Sequence, residues 1–100
     1  MLLAHEMKGT YRVFVMLDTE PGLDEKVSEQ LLKFKEVTEV HFISGIFDLL
    51  VVVEVSLRGR AIFTTIQEIS QLLVQKIRKI NGVRDTNTLL PFRSLIKDTG

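Results

Sequence analysis

The sequence contains no cysteine and no tryptophan, one tyrosine, two prolines, and no excess of either charge. Without cysteine there are no disulfides, thiolate metal sites, iron–sulfur clusters or thiol nucleophiles. Lys plus Arg and Asp plus Glu number 13 each, so no overall field draws the chain onto nucleic acid or an anionic membrane. Long hydrophobic runs are missing too. The longest, Leu49 to Val53, is too short to span a bilayer, and the N-terminal MLLAHEMKG carries Glu6 and too brief an apolar run for a signal-peptide core. A soluble, cytoplasmic protein without direct nucleic-acid binding is expected. The two histidines, His5 and His41, have no metal-ligand spacing, so no metal and no cofactor is implied.

What is present is aliphatic patterning: 45% of the 100 residues are hydrophobic. That length makes residues 1–100 one domain, which buries about two thirds of its unfolded surface. Two similar halves are visible, each strand, helix, strand. In YRVFVMLD, Tyr11, Val13, Val15 and Leu17 point one way and Phe14 and Met16 the other, so both faces are apolar. Pro21 and Gly22 then open a helix with Asp24 and Glu25 in its first turn, Lys33 and Lys35 in its last, and Leu23, Val27, Leu31 and Phe34 on one stripe. A mixed strand covers Val37 to Ser44, and a nearly continuous aliphatic one covers Leu49 to Val55. Ile62, Ile66, Ile69, Leu73, Ile77 and Ile80 mark a second helix, stopped by Lys76, Arg78, Lys79 and the Asn81-Gly82 turn, after which Val83 packs back. VRDTNTLLPF closes the chain, with Pro91 at an edge or at the end of pairing.

The order βαββαβ predicts an α+β, ferredoxin-like sandwich. It has an antiparallel four-stranded sheet in the order 4-1-3-2 and two helices on one face. The first and third strands, the most apolar, then fall in the centre. The opposite face of the sheet is left open, so an obligate dimer is expected to cover Phe14 and Met16, or their neighbours on the other parity.

The turn between the second and third strands is harder to explain. In SGIFDLLVVVEV, Gly45 marks a hairpin turn, yet large apolar residues, Ile46 and Phe47, follow it where polar ones are usual. Either they fold back on their own hairpin or they enter another subunit, where burying a Phe ring is worth about 1.5–3 kcal/mol.

EPG before a helix, the G-x-x-D of SGIFDLLVVVEV, the KIRKINGV helix end and the T-x-T of TNTLL, in this order, resemble the effector domain of the Lrp/AsnC transcription regulators. That domain is also called the regulation-of-amino-acid-metabolism (RAM) domain, and the likeness runs from about Tyr11 to Leu90, within a core of about 10–92. The chain departs from the pattern in two ways. Only MLLAHEMKGT precedes the first strand, so it resembles a version without the helix-turn-helix module. The SLRGRAIFTTIQE segment, around Ser56–Thr65, is several residues longer than usual.

The resemblance implies a sheet-to-sheet dimer that assembles into a ring, commonly an octamer, with a free amino acid or similar small effector bound between dimers. It also implies a link to transcription regulation, with full-length regulators of the family as further partners. A free amino acid needs replacements for the hydration of its carboxylate and ammonium. Backbone N–H groups around Gly45 suit the carboxylate. Asp48 is open to two roles, binding the ammonium or capping the turn. Thr86 and Thr88 share a strand face and offer hydroxyls, while Ile46 and Phe47 line an apolar pocket suited to a branched or other hydrophobic amino acid. The expected effector-binding residues are therefore Gly45, Ile46, Phe47, Asp48, Thr86 and Thr88, with no catalytic residue.

Other groupings have simpler readings. Glu39 and Glu54 suit an exposed cross-strand pair, and the RGR and KIRK clusters suit solvated faces. An RNA-recognition fold would need aromatics exposed on both central strands, and the third has none. A dimeric α/β-barrel enzyme would need polar groups facing a cavity between helices and sheet, where aliphatic residues are expected. A pure assembly partner that binds no ligand is the remaining alternative.

Overall fold

A computed structural model describes residues 10–57 and 64–97. The elements run β1 (Thr10–Thr19), α1 (Asp24–Leu31), β2 (Val37–Phe42), β3 (Leu49–Ser56), α2 (Ile66–Arg78) and β4 (Val83–Leu89). The strands form one antiparallel sheet in the order β2-β3-β1-β4, the order expected from the βαββαβ succession, with the two most apolar strands in the centre. The period-two pattern of β1 divides its residues between the faces. Val13, Val15 and Leu17 are completely buried beside Val51 and Val53 of β3, Val27 and Leu31 of α1, and Ile69, Leu73 and Ile77 of α2. Each such side chain contributes about 1.5–3 kcal/mol by leaving water, so these two helices and two strands hold the fold.

The turn into α1 follows directly from its residues. Leu23 N–H donates to the Glu20 carbonyl at 3.0 Å, with Pro21 and a positive-φ Gly22 (φ 81°) between them, the chemistry of a type II turn. The helix is shorter than its charge pattern suggests. It stops at Leu31, so Lys33 and Lys35 lie past its last turn rather than in it. Lys33 and Phe34 close back on the Gln30 and Leu31 carbonyls at 3.2 and 3.0 Å, a tightened exit that brings Phe34 against the core and delivers Val37 opposite Val53.

Helix α2 begins one residue after Thr65, whose hydroxyl accepts from Glu68 N–H at 3.1 Å as an N-cap. Lys76 and Arg78 occupy its last turn, and Val83 packs against the core after Gly82 (φ 102°), as the sequence pattern implies. His5, Arg58, Arg60 and Ile62 lie outside the described residues, as do residues 58–63 of the segment longer than the family pattern.

The sheet face away from the helices carries no helix: Phe14, Met16 and Leu50 are partly exposed there, while Val52 is buried. By register, Leu89, Phe14 and Val52 lie side by side, with Met16 and Leu50 as the next pair. Arg12, Glu39 and His41 flank this strip. The Arg12 guanidinium lies 5.7 Å from the Phe14 ring centroid and 3.5 Å from Glu39, whose other oxygen is 2.8 Å from His41 Nε2.

Candidate functional site

The β2–β3 connection, residues 43–48, projects from one end of the sheet and is held at its base by Asp48. Asp48 N–H donates to the Leu17 carbonyl at 2.9 Å, and Ile43 N–H donates to the Asp48 carbonyl at 3.0 Å. The carboxylate does more. Its Oδ2 accepts from Thr19 N–H at 2.9 Å and from the Thr19 hydroxyl at 3.2 Å. This partner is on β1 and not within the turn, so Asp48 clamps the connection to the central strand. The Thr19 backbone N–H, a hydrogen bond with Asp18 and the Thr19 hydroxyl together hold the Asp48 carboxyl below its ordinary pKa. Asp18 moves the opposite way. Its hydrogen bond with Asp48 and its desolvation raise its pKa, against the pull of Arg84, whose Nε lies 4.0 Å away. The two neighbouring carboxyls are thus shifted in opposite directions, Asp18 up and Asp48 down.

Beyond this clamp the tip is apolar and open. Ile46 is 89% exposed and Phe42, at the end of β2, is 56% exposed, while Phe47 is half-buried. The two residues expected to protrude thus divide, with Ile46 outward and Phe47 partly covered by its own chain. Gly45 has φ 145°, and a Cβ placed there would meet no atom within 4 Å.

Thr86 and Thr88 do share a face, the one that carries the helices, where they oppose Leu17 and Val15. Arg78 Nε donates to the Thr86 hydroxyl at 2.9 Å. Thr88 lines an open groove of about 390 Å³ between α2 and β4, together with Gln67, Gln71, Gln75 and Arg78. With β1 standing between β3 and β4, Thr86 is about 10 Å across the sheet from Leu49, and Thr88 lies further from the tip. Gly45, Ile46, Phe47 and Asp48 are contiguous at one end, whereas the threonines of the same copy form a separate polar surface.

Thr19, Asp18 and Arg78 join these residues without a signal in the sequence that assigns them there. Thr19 and Asp48 are 29 positions apart, and only the β1–β3 register reveals that they meet. Arg78 is recognisable as a helix-end cation but not as the donor to Thr86.

The Lrp/AsnC ligand-binding domain model matches residues 12–100. The chain belongs to the Lrp/AsnC ligand-binding domain family. This Lrp/AsnC domain is 35% identical over 81 residues to an uncharacterised HTH-type transcriptional regulator of Pyrococcus furiosus, covering 80% of the chain and 49% of the relative. It thus spans about half the length of the curated relatives it matches. Among solved structures, a hypothetical protein from Pyrococcus horikoshii superposes with a TM-score of 0.64 at 29% identity, over 83% of this chain and 90% of that one. A Neisseria meningitidis transcriptional regulator, solved as a complex with L-methionine, shares the fold with a TM-score of 0.70 at 17% identity, over 99% of this chain and 60% of that one. Among the described residues no helix is long and apolar enough to cross a membrane.

Proposed function

We propose that this Lrp/AsnC domain is an effector-binding and oligomerising module that takes a free amino acid, and that it regulates rather than catalyses. The observation that carries the reading is the β2–β3 tip. A protruding apolar residue, Ile46, is mounted on a connection that Asp48 fastens to β1, beside a glycine with free space around it. An exposed apolar tip on a rigid base suits contact with another copy. The L-methionine in the Neisseria regulator supports an amino acid as the ligand class.

In this proposal the open sheet faces of two copies pack together over Phe14, Met16, Leu50 and Leu89, and the tips join such dimers into a ring, an octamer in the simplest form. The effector lies between dimers. Backbone N–H groups near Gly45 receive its carboxylate, and Ile46 and Phe47 receive its apolar side chain. Thr86 and Thr88 stand too far from the tip of their own chain, so the hydroxyls come from a neighbouring copy. Asp48 acts first as the clamp, with its ammonium-binding role exercised from that fixed position. The space between helices and sheet is packed with Val13, Val15, Val51, Val53 and Ile77, which supports a regulatory role over the barrel-enzyme alternative.

Isothermal titration against a panel of amino acids tests the proposal. Saturable heat is expected for a branched or other hydrophobic amino acid, and loss of that heat in Gly45→Val. Absence of heat with every amino acid at millimolar concentration would overturn it.

A further inference from the structure

The chain beyond β4 touches its own domain only sparsely, through Leu90 in the groove beside α2 and a single bridge at Ile96. Leu89, Leu90, Phe92, Leu95 and Ile96 are five of the nine large hydrophobic residues exposed among the described residues, and they fall within eight consecutive positions. Phe92 is 99% exposed and Leu95 58%. Apart from a single bridge at Ile96, residues 90–97 have no regular structure. A run this apolar with so little cover is unfavourable in water, because each exposed ring or isobutyl group forfeits the gain of burial.

Two features indicate where it goes. The first is continuity: Leu89, 45% exposed, pairs with Phe14 on the sheet face away from the helices, so the chain leaves the sheet at the surface where a second copy would sit. The second is charge. Residues 90–97 carry Arg93 and Lys97 and no acid. The open face and its end carry Glu39, Glu54, Asp18, Asp48 and Asp85 against Arg12, Arg84 and His41. Five acidic side chains stand against three basic ones. An apolar, cationic arm thus faces an apolar, acid-rimmed strip.

We propose that residues 91–97 form an arm that docks on the open sheet face of a second copy. Phe92 and Leu95 extend the cover over Phe14, Met16 and Leu50, while Arg93 and Lys97 meet the carboxylates of the rim. By two-fold symmetry each copy gives an arm and receives one. The inference rests on the sheet-face dimer proposed above and adds the segment that secures it.

Sedimentation equilibrium of the full chain provides the first test, comparing wild type, F92S/L95S and R93Q/K97Q. The altered side chains are exposed, so thermal unfolding should confirm that all three fold. The dimer dissociation constant is expected to rise at least about tenfold in F92S/L95S, and the salt dependence of dimerisation to diminish in R93Q/K97Q. Because the natural chain has no cysteine, mixing M16C with F92C and oxidising mildly then locates the arm. A disulfide-linked heterodimer in excess of either linked homodimer is expected. A wild type that dimerises, with unchanged dissociation constants in the variants or no M16C–F92C link, would overturn the arm and leave the sheet-face dimer standing. A wild type that is monomeric at 100 µM, about a hundredfold above a micromolar dissociation constant, would overturn both.

Discussion

Gly45 and Gly82 share a backbone signature and differ in everything around it. Both have positive φ, 145° and 102°, a region where side chains with a Cβ are disfavoured. At Gly82 a Cβ would come within 3.0 Å of Val27 and 3.1 Å of Leu23, both on the α1 side of the core. That glycine lets the α2–β4 turn close against α1, and Gly82 O completes the packing by accepting from Glu20 N–H at 2.8 Å. At Gly45 a Cβ would meet no atom within 4 Å beyond the adjoining residues. The same conformational permission serves interior packing at one turn and leaves a surface open at the other. A glycine motif by itself does not tell these uses apart, but its surroundings do.

Substitution should separate the two turns. Gly82→Ala adds backbone strain to a crowded contact and is expected to cost about 2–4 kcal/mol, read from urea unfolding. Gly45→Ala meets strain without crowding and should cost about 1 kcal/mol in the same assay. Equal losses at the two positions would break the comparison. Thr65→Ala, distant from both glycines, removes the α2 cap and should cost about 1 kcal/mol, which calibrates the measurement.

The clamp beneath the tip can be tested by pH. A lowered Asp48 pKa adds stability above its unfolded value, near 3.8, and that contribution disappears as pH falls through the folded pKa. Asp18 has the opposite sign: its raised pKa favours the fold at low pH, and this is lost as pH rises through its folded value. Asp18→Asn keeps a donor for Asp48 and removes that second titration. Its melting temperature relative to wild type should therefore climb as pH goes from about 3 to about 7. A difference that stays flat across the range would show that Asp48 does not raise the Asp18 pKa.

Most of the fold could be read from the sequence because its two periods are clean. Alternation at Val13, Val15 and Leu17 and the three-to-four spacing from Ile66 to Ile77 are local signals of burial, and both mark residues that are buried or partly buried against one core. The exit of α1 was not legible. Lys33 and Lys35 satisfy a helix-end pattern, but the need to bring Phe34 inward and pair Val37 with Val53 ends the helix earlier. At the candidate site, the G-x-x-D spacing located a turn and an acid. It could not show that the acid reaches Thr19 on β1, because that bond depends on the register between distant strands. Thr86 and Thr88 alternate as a strand requires, but which face they share depends on pairing with Leu17 and Val15. The family likeness named the same six residues without showing that one copy keeps them apart.

The account depends on the β2–β3 tip making a contact outside its own chain, and sedimentation velocity of wild type beside Ile46→Ser tests this most directly. Ile46 is almost fully exposed, so monomer stability should be unchanged. Wild type is predicted to sediment as a species larger than a dimer and Ile46→Ser to stop at the dimer, with superimposable thermal unfolding curves at low concentration. Identical sedimentation of the two proteins across the concentration range would contradict the account.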